Sequence, residues 1–131
     1  MKNILVVDDN KTITDMVKLI LESSGYKCTT ANSSKECFNI LDSNKFDLIL
    51  LDVAMPEVSG IDMMKRIKGD PCLSYNRIIL FTASAFTDAQ IQELKKQGML
   101  ECIRKPVGKT KLLEVIQRCL EETITVSQGS A

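Results

Sequence analysis

The sequence predicts an α/β fold, a doubly wound five-stranded parallel sheet in the order 2-1-3-4-5 with helices on both faces. Three observations lead there. Apolar runs and helical periodicities alternate from end to end, the pattern of a parallel sheet held between helical layers. Three of the runs are unbroken (Ile4-Leu5-Val6-Val7, Leu48-Ile49-Leu50-Leu51 and Ile78-Ile79-Leu80-Phe81), as strands covered on both faces require. Two further segments, Tyr26-Lys27-Cys28-Thr29-Thr30 and Glu101-Cys102-Ile103-Arg104, mix polar with apolar side chains and suit the sheet edges. With strands one, three and four central, the order follows.

Taken in order, the first strand is expected over residues 3–8. The helix after it carries Ile13, Met16, Val17, Ile20 and Leu21 on one face and stops at Gly25. A second strand over residues 26–31 leads to a helix opened by Ser33-x-x-Glu36, a capping box. The third strand, residues 46–52, precedes a helix holding Ile61, Met64 and Ile67 behind Gly60. The fourth, residues 77–82, is followed by a helix that opens with Thr87-x-x-Gln90, buries Ile91 and Leu94 and ends at Gly98. The short fifth strand, residues 101–104, leads to a helix repeating Leu112, Leu113, Ile116, Cys119 and Leu120. The polar segment that ends in Gln-Gly-Ser-Ala reads as a tail or linker start, dividing the chain into a domain at 1–123 and a tail at 124–131.

A chain of 131 residues suits one domain around one core. Lys plus Arg equal Asp plus Glu at 17 each, so no general attraction to nucleic acid or to acidic membrane surfaces is expected. No apolar run approaches membrane-spanning length and no leader precedes the first strand, so a cytoplasmic protein is expected. The five cysteines, Cys28, Cys37, Cys72, Cys102 and Cys119, show no C-x-x-C spacing and the chain has no His. That usage suits reduced thiols and argues against a disulfide framework, a Cys/His zinc site, or nucleophile chemistry that needs His. Met55, Met63 and Met64 read as packing residues, and Lys95-Lys96 as a solvated helix face.

In open parallel sheets, ligands bind outside the carboxyl ends of the strands where the strand order switches. Asp8-Asp9, Asp52 and Thr82 leave the central strands there, and Lys105 follows the fifth strand on the same edge. Singly, each has a plain structural reading: Asp caps helices, Thr bonds strand-end backbone, Lys is solvated. Together they deliver three carboxylates, a hydroxyl and an ammonium to one place. Three such carboxylates repel and take up protons unless a cation neutralises them, and oxygen donors without His or Cys suit Mg²⁺. The same set suits phosphoryl transfer, which needs positioning and charge neutralisation more than covalent help. One carboxylate would act as nucleophile.

In order and spacing, the segment Ile4-Leu5-Val6-Val7-Asp8-Asp9-Asn10, the stretch Asp52-Val53-Ala54-Met55-Pro56-Glu57-Val58-Ser59-Gly60, the Thr82-Ala83-Ser84 step and Lys105-Pro106 resemble the receiver domains of two-component response regulators, chemotaxis regulators among them. The resemblance runs from about Lys2 to about Glu122 and implies the flavodoxin-like receiver fold. It implies that Asp52 is the phosphoacceptor, that Asp9 and Asp52 bind Mg²⁺ directly, that Asp8 acts mainly through a coordinated water, and that the backbone carbonyl of Ala54 completes the ligands. Thr82 would bond the phosphoryl group, Lys105 would pair with its charge, and the Lys105-Pro106 bond would be cis. Implied partners are a histidine kinase or histidine phosphotransfer protein as donor, meeting the first helix and the loop after Lys105. A downstream protein target or a fused output domain would receive the signal through helix 4, strand 5 and helix 5, a face that also suits a weak homodimer of an otherwise monomeric chain. No separate enzyme activity is expected beyond the chain's own Mg²⁺-dependent phosphorylation and dephosphorylation.

The chain departs from the family pattern at Cys102, where a Tyr or Phe usually stands and turns inward on activation. Phe86 is the nearest aromatic substitute. Ala54 and Ser84 occupy the positions that tune phosphoryl lifetime, and both are small. Two other readings stay open. A phosphohydrolase of the haloacid-dehalogenase type would use Asp8 as nucleophile, within Asp8-x-Asn10-x-Thr12; a binding module would keep the fold without phosphorylation.

Overall fold

The computed structural model describes the backbone of residues 1–129 and the side chains of residues 1–121. Five strands and five helices alternate: β1 Asn3–Val7, α1 Lys11–Ser23, β2 Lys27–Ala31, α2 Ser34–Leu41, β3 Leu48–Asp52, α3 Gly60–Gly69, β4 Ile78–Thr82, α4 Asp88–Lys96, β5 Met99–Arg104 and α5 Lys109–Gly129. All strand pairs are parallel and the order is β2-β1-β3-β4-β5, as the sequence predicts.

The central strands β3 and β4 are buried along their whole length. Alternate residues face opposite layers. Leu5, Val7, Ile49, Leu51, Ile78 and Leu80 pack against Cys37 and Leu41 of α2, Met63, Met64 and Ile67 of α3, and Leu94 of α4. Ile4, Val6, Leu48, Leu50, Ile79 and Phe81 pack against Val17 and Leu21 of α1 and against Leu112, Ile116 and Cys119 of α5. Helices therefore cover both faces, three on one and two on the other.

Several local expectations are corrected. On α1, Met16 is 44% exposed and Thr14 is buried at 1%, because the helix turns its Thr14, Val17 and Leu21 face inward and leaves Met16 on the flank. Ser33 caps α2 by accepting from the Glu36 N–H, but only the α4 box, between Thr87 and Gln90, closes reciprocally. β5 begins at Met99, earlier than its polar composition suggests: Met99 pairs with Ile78, and an irregularity between Ile78 and Ile79 then pairs Ile79 with Glu101. β1 stops at Val7, which leaves Asp8 in the turn. α5 continues past Thr123, where the sequence reading ends it, since no Gly or Pro interrupts it before Gly129; the rest of the expected tail, residues 130–131, lies outside the described residues.

Gly60 opens α3 behind the Ser59 cap, and its N–H donates to the Val53 carbonyl at 2.8 Å. A β-carbon here would overlap the carbonyl oxygen of Asp52, so the β3–α3 loop can fold tightly against the end of β3 only with glycine at this position. Among the described residues no helix is long and apolar enough to cross a membrane.

Candidate functional site

The strand order turns back between β1 and β3, and the helices after those strands leave on opposite faces, which opens a crevice at their carboxyl ends. Asp8 and Asp9 leave β1 into it, and Asp52 is the last residue of β3. Asp8 and Asp52 are each 3% exposed whereas Asp9 faces solvent, and one carboxylate oxygen from each of the three lies within 4.8 Å of the others.

The β1–α1 turn is tightly made. The Asp8 N–H donates to the Ala31 carbonyl at 3.1 Å, and Asp8 Oδ1 accepts from the Asn10 N–H at 2.9 Å. Asn10 in turn caps α1, accepting from the Thr12 and Ile13 N–H groups. This answers in part the plain reading of Asp8: it does bond local backbone, yet its other oxygen is engaged across the sheet.

That engagement is with Lys105. Its Nζ donates to Asp8 Oδ2 at 2.7 Å and to Asp52 Oδ1 at 3.0 Å, and lies 5.0 Å from the centroid of the Phe81 ring. The Lys105 N–H donates to the Thr82 carbonyl at 2.7 Å, which extends the β4–β5 ladder and carries the ammonium to the crevice. The Lys105-Pro106 bond is cis, as the resemblance implies.

Burial pushes the Asp52 carboxyl above its ordinary value; the Asp8 charge adds to this, and the bonds from Lys105 and from the Ala54 backbone N–H offset it only in part. For Lys105, burial acts downward, but hydrogen bonds and charge from both carboxylates outweigh it and hold the ammonium above its ordinary value. The asymmetry has a simple source. One ammonium gains from two carboxylates, while Asp52 has only a share of that ammonium.

The donor set fits Mg²⁺. Oxygen ligands only, crowded enough to repel and partly exposed at Asp9, match a hard cation that keeps some of its waters. Asp8, Asp9 and Asp52 are the described side chains that would hold it.

Thr82 is buried at the end of β4 and follows Phe81, the register partner of Asp52. Its Oγ1 accepts from the Ser84 N–H at 3.0 Å, so the hydroxyl is turned into its own loop. Cys102 pairs with Leu80 and packs, partly buried with Phe86 and Ile91, against the α2–α3–α4 layer. The structure thus gathers Asp8, Asp9, Asp52 and Lys105 in direct proximity, sets Thr82 at the end of the strand next to Asp52 with Ser84 bonded to its hydroxyl, and leaves Cys102 in packing.

A family model described as the response regulator receiver domain matches residues 4–117. The chain belongs to this family. Among curated receiver-containing relatives, the phosphate regulon transcriptional regulatory protein PhoB of Pseudomonas aeruginosa is 35% identical over 93% of this chain; the chain spans about half of that relative, 53%. The polar-differentiation response regulator DivK of Brucella ovis is 29% identical over 91% of this chain and 96% of its own length. A CheY-like response regulator receiver domain from Methanospirillum hungatei superposes with a TM-score of 0.84 at 30% identity, covering 95% of this chain and 98% of that one. Response regulator TrrA of Thermotoga maritima, solved in complex with Mg²⁺-BeF, gives 0.76 at 30% identity, covering 91% and 99%. Phosphorylation on Asp and Mg²⁺ binding at an acidic pocket are general to receiver domains.

Two contacts of this receiver domain were not foreseen from sequence: the Phe81 ring beside the Lys105 ammonium, and a side-chain bond from Asn32 to the Asp8 carbonyl at 2.8 Å. Asn32 follows the last residue of β2 on the same sheet edge. Its sequence signal is its place directly after the end of β2, on the edge where Asp8, Asp52 and Thr82 stand.

Proposed function

We infer that this receiver domain accepts a phosphoryl group on Asp52 from a phosphohistidine of a histidine kinase or histidine phosphotransfer protein, with Mg²⁺ held by Asp8, Asp9, Asp52 and the Ala54 carbonyl. The observation that carries this reading is the position of Asp52: a buried carboxylate at the switch in strand order, sharing Lys105 with Asp8 inside a three-carboxylate cluster. Bound Mg²⁺ would neutralise the carboxylates and the charge on the transferred group's oxygens.

The chain's own residues account for the rest. An Asp52 carboxylate oxygen attacks phosphorus in line with the donor imidazole nitrogen; the phosphorus–nitrogen bond breaks, its electron pair returns to the imidazole, and an acyl phosphate forms. Lys105, already bonded to Asp52, moves its contact to a phosphoryl oxygen. Thr82 releases the Ser84 N–H and turns its hydroxyl to another. The product is a modified Asp52 and not a released compound, so the chain is a phosphoacceptor that promotes its own modification. Water attack on phosphorus then releases inorganic phosphate and restores the Asp52 carboxylate; the small Ala54 and Ser84 neither shield the group nor orient that water.

Family resemblance supports the choice of partner faces. The donor meets α1 and the loop after Lys105, and a protein target or fused output domain reads α4, β5 and α5, where Arg118 and Glu101 pair at 3.2 Å. With Cys102 in place of a ring, the change at Thr82 is passed on through the loop before α4.

The test is incubation with Mg²⁺ and a small acyl phosphate, read by intact mass. A mass gain of one phosphoryl group is expected for the unmodified chain and for Asp8→Asn at reduced rate, and none for Asp52→Asn. Labelling of Asp52→Asn, lost instead in Asp8→Asn, would favour the hydrolase-type nucleophile. Absence of labelling in every form would favour a binding module.

A further inference from the structure

The cluster asks two carboxylates of one short turn, Asp8 and Asp9, to stay close to a third on another strand, against their mutual repulsion. Something must fix that turn's backbone. Lys105 holds the Asp8 carboxylate but not the main chain. The described side chain that reaches the turn's main chain from another element is Asn32. Its Nδ2 carries two hydrogens and uses both, one on the Asp8 carbonyl at 2.8 Å and one on Thr14 Oγ1 at 3.0 Å. Thr14, 1% exposed, sends its own hydroxyl hydrogen to the Lys11 carbonyl at 3.1 Å in the first turn of α1. Asn32 thereby ties the β2–α2 loop to the start of the Asp8–Asn10 turn and to the helix that follows it, and it lines a recess of about 140 Å³ together with Asp9.

We propose that Asn32, acting with Thr14, is a positioning residue that sets the Mg²⁺ affinity of the site by fixing the backbone of the Asp8–Asp9 turn. This rests on the reading of the acidic cluster as a Mg²⁺ site. Without the tether the apo turn relaxes to separate its carboxylates, and Mg²⁺ binding must then supply the work of bringing them back. Affinity falls while the apo fold, relieved of repulsion, changes little.

Calorimetric titration of MgCl₂ into the unmodified chain, Asn32→Ala, Thr14→Val and the double variant tests this, with melting of each in EDTA. Asn76→Ala is the control, since it removes a side-chain bond to the Leu73 carbonyl at the opposite end of the sheet. Asn32→Ala is expected to weaken Mg²⁺ by about ten-fold, the usual effect of losing a residue that orients metal ligands. Thr14→Val should weaken it less, and the double variant should be no weaker than Asn32→Ala alone, because both cut one chain of bonds. Asn76→Ala should lower the melting point and leave the affinity unchanged. The proposal is overturned if Asn32→Ala binds Mg²⁺ as the unmodified chain does, or if Asn76→Ala weakens it equally. Should Asn32→Ala not fold, Thr14→Val, which keeps the side-chain volume, carries the test, and unchanged affinity there overturns the proposal. If the unmodified chain takes up no Mg²⁺, the metal-site reading falls and this proposal with it; failure of the variants alone leaves that reading standing.

Discussion

At the β1–β3 side of the sheet edge, Asp8 and Asp52 are buried, share one ammonium through bonds of 2.7 and 3.0 Å, and crowd Asp9 within 4.8 Å. One strand over, on the β4–β5 side, Thr82 bonds its own loop and Cys102, like Phe86 and Ile91, is partly buried against the α2–α3–α4 layer. The first region is held by a few charged contacts whose geometry is narrow. The second is held by dispersed apolar packing that tolerates change. A receiver can therefore keep its reacting groups fixed while the neighbouring surface is free to vary in how it passes the signal on.

The largest effect should come from breaking the charged side. Lys105→Met keeps the stem and removes the shared ammonium, leaving two buried carboxylates unpaired. A loss of about 3 kcal/mol in Mg²⁺-free urea melts is expected, the low end for a severed buried ion pair because the lysine is partly open to water. Added Mg²⁺ should restore much of it. Gly60→Ala comes next, at about 2 kcal/mol, because the new methyl must push the start of α3 away from Asp52. Its signature is slower acyl-phosphate labelling along with the lower midpoint.

On the packed side the effects should shrink. Cys37→Ala costs about 1–2 kcal/mol at neutral pH as a small cavity opens under α2. Burial pushes the Cys28 thiol up to about 11 and the Cys37 thiol up to about 12, from 9.0. From pH 9 upward the unfolded chain releases these protons and the folded chain keeps them. The associated stability is fully present below pH 9 and is lost as pH rises toward the folded values, at up to about 1.4 kcal/mol per pH unit for each thiol. Cys37→Ala should flatten that alkaline decline, measured as urea midpoint against pH. Smallest of all, Cys102→Ala should change stability by no more than about 1 kcal/mol and leave the labelling rate of Asp52 as it is. A large rate change there would erase the contrast between the two regions.

The same contrast explains what could be read from sequence. Strand order was legible because β3 and β4 must be apolar on both faces, and Tyr26–Thr30 and Glu101–Arg104 plainly are not. The acidic cluster and Lys105 were legible because a strand's last residue has only one edge to leave from. What stayed hidden lacks any period. Which of Thr14 and Met16 is buried depends on how α1 is turned against the sheet, the Ser33 box is closed from one side only, and the Asn32 tether joins three residues whose spacing carries no pattern. The early start of β5 at Met99 depends on pairing with Ile78, which only the assembled sheet supplies.

Lys105 follows the last strand in chain order, whereas the carboxylates it pairs with stand after the first strand and at the end of the third. A nascent chain released only as far as α4 holds the three acidic groups without the ammonium that pairs with two of them. The charged site is thus completed only when β5 docks on β4, so its assembly waits for the last strand of the sheet.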